Sequence, residues 1–212
     1  GGKGVVDCFF QTSGESSDFS SVADAHTQII DQVVEVDEAL MELYLEQGAD
    51  LQPEQLHEPF EKALRDGHLI PVCFVSAQTG AGVKERLDVF SRLMPSPLAG
   101  NVPPFLKGEG AEAQRVEIAP DPSRHVVAHV FKVTFDPYLG KLAAFRVHQG
   151  TVTPSSQLFV CESRKPFKVS HLFQLMGRDR REIDAAIPGD ICGVAKVEEV
   201  RFGDVLHDSH DE

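Results

Sequence analysis

Tryptophan is absent from this chain, and tyrosine occurs only twice. Bulk for a core must therefore come from the 14 phenylalanines and the aliphatic residues. Cysteine is scarce as well: Cys8, Cys73, Cys161 and Cys192 stand far apart and form no Cys-x-x-Cys pair. That usage fits a reducing, cytoplasmic setting. Cys73 and Cys192 sit in apolar runs, where a free buried thiol is the ordinary reading. No apolar run is long enough to span a bilayer, so no membrane role is expected. The first residues carry no basic-then-apolar signal pattern. What is present is ample for folding: 212 residues, 42% of them apolar, enough for one large domain or two modest ones.

Charge divides the chain. Residues 1–99 hold 6 Lys and Arg against 17 Asp and Glu, a net of −11, whereas residues 100–212 hold 14 against 16. The acidic half should repel nucleic acid and attract basic protein surfaces; the other half has room for local basic patches.

Periodicity divides it at a similar place. "GVVDCFF" (4–10) reads as a short strand and "QTSGESSDFSS" (11–21) as loop. Ser21 and Asp24 have capping-box spacing. From Val22 the apolar positions follow a helical period to Tyr44, with Asp37 the one polar interruption and Gly48 a plausible C-cap. Pro53 suits the first turn of a second helix that carries Leu56, Phe60 and Leu64 and stops near Gly67, although Pro59 would kink it or move its start. "LIPVCFV" (69–75) reads as a buried strand, although Pro71 counts against a central position unless its missing N–H falls at the strand's start. Val83, Leu87, Phe90 and Leu93 then fit one helical face, ended by Pro95 and Pro97. Residues 99–124 are a Pro- and Gly-rich connector, a semi-extended linker or a wrapped strand segment. Beyond it the period is two: 125–135, 141–152, 157–162, 167–175 and 189–197 are strand candidates separated by short turns. The expected fold is therefore α/β over 1–98, then the connector, then an antiparallel β-barrel over 125–212.

Few motifs carry chemistry. A phosphate loop of the Walker type needs Gly-x-x-x-x-Gly-Lys-Ser/Thr. "SAQTGAGVKE" (76–85) lacks it, and in "GGKG" (1–4) Gly4 stands where the hydroxyl should be. The plain reading of Gly80 and Gly82 is turn chemistry between a strand and a helix. His207 and His210 lie among Asp208, Asp211 and Glu212, but a zinc site wants a rigid quartet, so a flexible acidic tail is the reading and no metal is expected. His125, His129 and His171 alternate with apolar residues, as exposed-face histidines do. No catalytic pair or triad emerges. Arg164, Lys165, Lys168, Arg178, Arg180 and Arg181 form a basic cluster, read evenly as solvated turn charge or as a nucleic-acid contact. Phe167 and Phe173 within it are expected in the core rather than stacked on bases.

"FVSAQTGAGVKERLDVFSRLMPSPL" resembles the last nucleotide-domain motif of translational GTPases, closest to elongation factor G. "EVDEALMELYLEQG" is similar to the helix of that family's insertion subdomain. "AAFRVHQGTVTPSSQLFV" and "GDICGVAKVEEVRFGDVLHD" resemble its second domain, a β-barrel. Their order and spacing agree across nearly the whole chain. The resemblance implies that Ser76 and Ala77, with Gln78 adjacent, form the corner against the guanine base, where a backbone N–H donates to the base oxygen. Gln78 departs from the usual Leu or Lys. It implies GTP or GDP with magnesium in the parent protein, contact between the barrel and small-subunit ribosomal RNA through the basic cluster, and contact between the acidic insertion and a large-subunit stalk protein. It also implies what this chain lacks: a Walker loop, an Asn-Lys-x-Asp, an Asp-x-x-Gly and switch segments. The expectation is thus a central piece of a translocation GTPase that begins inside the nucleotide domain and neither binds GTP tightly nor hydrolyses it. A ribosome-protection or other paralogue, and a free-standing ribosome or RNA adaptor, remain alternatives. The 69–75 strand, without the rest of a parallel sheet, is expected to pair with Val5–Phe10 or with another chain.

Overall fold

The computed structural model describes residues 4–14, 20–47, 51, 53–108, 110–177 and 179–210. The chain divides into two compact units, Gly1–Ser96 and Pro97–Glu212. No described helix is long and apolar enough to cross a membrane.

The first unit is built of helices. Helix α1 (Val22–Val34) begins where expected, with the Ser21 hydroxyl accepting from the Asp24 amide at 3.0 Å. The single helix expected to run on to residue 47 is two. The backbone leaves α1 at 35–36, and Asp37 Oδ1 accepts from the Leu40 amide at 3.0 Å, which caps a new helix α2 (Glu38–Gln47). The polar interruption in the apolar period is therefore a start signal. The expected C-cap at Gly48 lies outside the described residues. Helix α3 (Pro53–Arg65) carries Pro59 in its interior, and helix α4 spans Val83–Leu93. The core joins Ile30, Val33 and Val34 to Leu40, Leu56, Phe60, Ala63, Leu69, Val89 and Leu93.

Both strand expectations in this unit fail in detail. Around Cys8 the chain bends, because Asp7 Oδ1 takes the amides of Phe9 (2.8 Å) and Phe10 (3.2 Å) that a ladder would need. Residues 69–75 join no ladder among the described residues, and the pairing expected with Val5–Phe10 is not formed. Pro71 offers no N–H, and no neighbouring strand lies among the described residues of the unit. The segment keeps a two-sided character: Cys73 packs toward the core while Ile70 (80% exposed), Val72 (67%) and Phe74 (68%) face outward. Helix α4 likewise buries Val89 and Leu93, leaving Val83, Leu87 and Phe90 of the expected face in the open.

In the second unit, strands β1 (Phe105–Lys107) and β2 (Gln114–Val116) form a small antiparallel hairpin inside the stretch read as connector. An eight-stranded antiparallel sheet follows: β3 (Val127–Asp136), β4 (Gly140–Gln149), β5 (Gln157–Val160), β6 (Phe167–Lys168), β7 (Leu172–Met176), β8 (Asp179–Glu182), β9 (Ile191–Ala195) and β10 (Val205–His207), in the order β6-β5-β10-β3-β4-β9-β7-β8. The run expected as one strand over 167–175 is two. Strands β6 and β7 sit near opposite ends of that order, yet only residues 169–171 connect them. Four Cα steps reach at most about 14 Å, so the sheet must curl until its ends approach. Alternate residues point into the space so enclosed: Val126, Ala128 and Val130 on one strand meet Phe145 and Val147 on the next, with Leu158, Leu172, Val194 and Leu206. A register shift between Val130 and Lys132 leaves Phe131 as an extra, exposed residue.

Candidate functional site

The turn that links the extended segment to α4 is tied internally. The Ser76 amide donates to the Ala81 carbonyl (2.9 Å) and the Gly80 amide to the Ser76 carbonyl (2.8 Å). The Thr79 amide reaches the Ser76 hydroxyl (3.3 Å), and the Ala81 amide reaches the Thr79 hydroxyl (3.4 Å). The Ala77 and Gln78 amides take no part in this set, and both residues are exposed. Gly82 fixes the approach of helix to segment. At φ +77 a Cβ there would stand 2.1 Å from the Phe74 carbonyl oxygen, so no other residue fits without moving the backbone. The result is a compact corner at the end of an extended segment, with the exposed Ala77 and Gln78 outside the bonds that tie it. The corner lacks the Gly-Lys-Ser/Thr that a Walker-type phosphate loop would require.

The basic candidates divide. Arg164 and Lys165 are exposed in the turn after β5, and Lys168 is exposed on β6 opposite Gln157. Arg181 lies across the β7–β8 ladder from Gln174. Arg180 braces the β3–β4 hairpin, with Nη1 2.7 Å from Asp136 Oδ2. Asp136 Oδ1 also accepts from the Leu139 and Tyr138 amides at 2.9 Å each; these bonds first, then Arg180, hold its carboxyl below the usual range. Arg178 lies outside the described residues. Phe173 is buried and Phe167 packs against the core, as expected.

Three features escaped sequence reasoning. Gln149, buried at 2% exposure, staples the segment before β3 to the barrel: its Oε1 accepts from the Ala119 amide (3.1 Å) and its Nε2 donates to the His125 carbonyl (3.0 Å). Its neighbour Gly150 donates to the Asp121 carbonyl at 3.0 Å. His148 stands against Phe105 of β1, ring centroids 5.2 Å apart; burial, then Arg146 and His129, lowers its pKa to about 4. Finally, the tail read as flexible is held as far as it is described. His207 lies in β10, the rings of His207 and His210 pack on Phe159, and Lys107 Nζ donates to the His210 carbonyl at 2.6 Å. A buried polar residue within an apolar alternation was the one available signal for Gln149; nothing in sequence marked the other two.

The histidines assemble no metal site: no group of three His, Cys, Asp or Glu suited to an ion occurs among the described residues. His125 pairs with Asp208 (3.2 Å) and His171 with Glu182 (2.5 Å). Burial first, then Asp190, pushes the Cys192 thiol up to about 12, which makes it an inert core residue.

Residues 125–209 match the family model described as elongation factor G domain 2. Elongation factor G of Ureaplasma urealyticum is 33% identical over 182 residues, covering 86% of this chain and 26% of that protein. Elongation factor G of Thermotoga neapolitana is 30% identical over 181 residues, covering 85% and 26%. A protein of Mycobacterium tuberculosis named elongation factor G-like is 30% identical over 210 residues, covering 91% and 29%. A crystal structure of a protein from Thermus thermophilus superposes with a TM-score of 0.66 at 29% identity, covering 89% of this chain and 25% of that one. The chain thus spans about a quarter of the length of the relatives it matches.

Proposed function

Because this chain is elongation factor G-like over most of its length, with residues 125–209 forming that family's domain 2, we propose that it serves a GTP-hydrolysing translation factor that acts on the ribosome. In this reading the chain itself is not catalytic. The Ser76–Gln78 corner contributes one wall of a guanine site, with the Ala77 or Gln78 amide donating to the base oxygen. GTP or GDP and magnesium belong to the parent protein. The barrel meets small-subunit ribosomal RNA through Arg164, Lys165, Lys168 and their neighbours, and the acidic α1–α2 surface meets a large-subunit stalk protein, all in the cytoplasm. The observation that carries the reading is the corner held by Gly82, at the end of an extended segment, where the exposed Ala77 and Gln78 take no part in the turn's own hydrogen bonds. The exposed face of Ile70, Val72 and Phe74 supports it, because a segment apolar on both faces suits the interior of a parallel sheet covered on both sides. Calorimetry of the chain with GTP and magnesium is expected to give no heat of micromolar binding. Clear micromolar affinity would overturn the non-catalytic reading, and failure to co-sediment with small ribosomal subunits would overturn the ribosomal one.

A second reading within the family is favoured by one observation. The Mycobacterium tuberculosis protein named elongation factor G-like covers 91% of this chain, against 86% for the Ureaplasma factor. A paralogue with an altered role on the ribosome accommodates that slightly wider match.

A further inference from the structure

We infer that residues Val5–Phe10 form a strap that couples helices α1, α3 and α4 to the Ser76–Gln78 corner, so that a load on the helices changes the freedom of the corner. The inference concerns how the corner moves and holds whatever ligand meets it.

One side chain gives the strap its shape. Asp7 Oδ1 accepts from the amides of Phe9 (2.8 Å) and Phe10 (3.2 Å), which bends the chain and fixes the directions of the two rings. Successive residues then meet different helices. The Cys8 carbonyl lies 2.9 Å from Nδ1 of His26 on α1. A carbonyl only accepts, so that nitrogen carries a proton and donates it to the bond. His26 is 6% exposed, and lifting the strap would leave a buried donor without its acceptor. The Phe9 ring stands edge-on to Phe60 of α3, with centroids 6.0 Å apart. The Arg92 guanidinium, in the last turn of α4, lies over the Phe10 ring at 3.8 Å.

The other end of the strap reaches the corner. Gly82 is buried, and a Cβ there would stand 3.0 Å from Val5 Cγ2 as well as 2.1 Å from the Phe74 carbonyl oxygen. Gly82 is thus gripped between the strap and the extended segment, one residue beyond the Ala81 carbonyl that accepts from the Ser76 amide. The bonds from the Gly80 amide to the Ser76 carbonyl and from the Thr79 amide to the Ser76 hydroxyl stay inside the turn. A turn tied internally moves as one piece about the point where it is gripped, and Val5 supplies one side of that grip. A shift of α1 therefore reaches Gly82 through the few residues between Cys8 and Val5, a contiguous chain of the kind that carries coupling between sites.

The test is amide exchange, followed by NMR on the whole chain. Val5→Ala, His26→Ala and the double variant form a cycle read at the Gly80 amide, with the Ala63 amide in α3 reporting any opening of the unit as a whole. Each single change is expected to speed exchange at Gly80 about fivefold and at Ala63 by less than about twofold. The double variant should go little beyond either single one, because both cut the same strap. Phe10→Leu, which keeps the bulk and loses the ring beneath Arg92, replaces His26→Ala in the cycle if that change opens the unit. Leu40→Ala, a core truncation on α2, should speed Gly80 and Ala63 alike. If the two effects at Gly80 multiply in the double variant, the contacts are independent. If Gly80 follows Ala63 in every variant, the corner responds to ordinary unfolding. Either result overturns the strap.

Discussion

The barrel and the helical unit both leave large apolar residues exposed, but in different places: in the barrel unit Phe135, Tyr138, Met176 and Phe202 lie at strand ends and turns, whereas in the helical unit Ile70, Val72 and Phe74 lie together on one extended segment. In the barrel, strands joined into one curled sheet send alternate residues inward until Phe145, Val147, Leu158 and Leu206 have no exposure at all. In the helical unit a comparable core exists around Ile30, Val33 and Phe60, yet Ile70, Val72, Phe74, Leu87 and Phe90 remain outside it. The difference teaches that the curled sheet keeps one continuous core between its strands, whereas the 69–75 segment gathers its exposed apolar residues along a stretch that shares no ladder among the described residues. A sheet curled onto its own core yields little when crowded; an uncovered segment can yield more.

Gly150 tests the closed side most severely. Its φ is +76, and a Cβ there would lie 2.6 Å from Val126 Cα, 2.7 Å from Val126 N and 2.8 Å from the Arg124 carbonyl oxygen. These are backbone atoms of β3 and its approach, which the sheet holds in place. Gly150→Ala is expected to cost about 3–5 kcal/mol, read as a fall in urea midpoint at unchanged slope. A loss under about 1 kcal/mol would mean that the barrel yields as freely as the uncovered edge.

Gln149→Ala comes next. It removes two buried hydrogen bonds and leaves the Ala119 amide without its acceptor, for about 2–3 kcal/mol. Amide exchange at Ala119 should quicken by more than exchange at Phe145 in the barrel core, which follows global opening alone. Equal acceleration at both sites would mean that the staple is not local.

His148 then gives a pH signature confined to the barrel. Its pKa is about 4 when folded against an ordinary 6.5, so below pH 6.5 the unfolded chain takes up a proton that the folded chain refuses. Stability is therefore full above pH 6.5 and declines as pH falls toward 4. The shift corresponds to about 3 kcal/mol if fully transmitted, and solvent screening at a half-buried ring reduces that to about 1–2. His148→Gln should flatten the profile in that window. Asp121 and Asp136 act lower: their carboxyls are held below the usual range, Asp121 chiefly by the Ser123 hydroxyl, and their contribution is lost in stronger acid.

How much of this was legible in the sequence follows the same division. Alternation is written residue by residue, so β3, β4 and β9 could be read within a few positions of their observed bounds. Strand β8, "DRRE", could not, because an exposed edge strand has no buried face to impose a period. Nor could β10, only three residues long. The 69–75 segment shows the opposite failure: its apolar pattern specifies a strand, but a ladder needs a neighbour, and sequence pattern does not count neighbours. The break at 35–37 was visible as Asp37 and misread as an interruption, since an N-cap and a polar intrusion look alike until the amide of Leu40 is seen to turn toward it. Ser76, Ala77 and Gln78 were singled out only through resemblance, because a backbone contact leaves no side-chain trace in a sequence. His207 and His210 were read as tail because their partners are backbone carbonyls and a phenylalanine nearly 50 residues away.

The smallest expected change in stability is the sharpest test of the uncovered edge. Val72 and Phe74 point outward from a segment that shares no ladder among the described residues, so Val72→Thr with Phe74→Ser removes no packed contact of the size that Leu158 makes inside the barrel. The unfolding free energy should change by less than about 0.5 kcal/mol, whereas Leu158→Ala should cost about 2–5. Association should respond instead. The parent chain is expected to show a light-scattering mass that rises with concentration, because an extended apolar edge recruits another. The double variant should stay at the monomer mass and bind less of a hydrophobic dye. If it instead lost more than about 2 kcal/mol with no change in mass, Val72 and Phe74 would be core residues of the unit itself. The two halves of the molecule would then be equally self-contained.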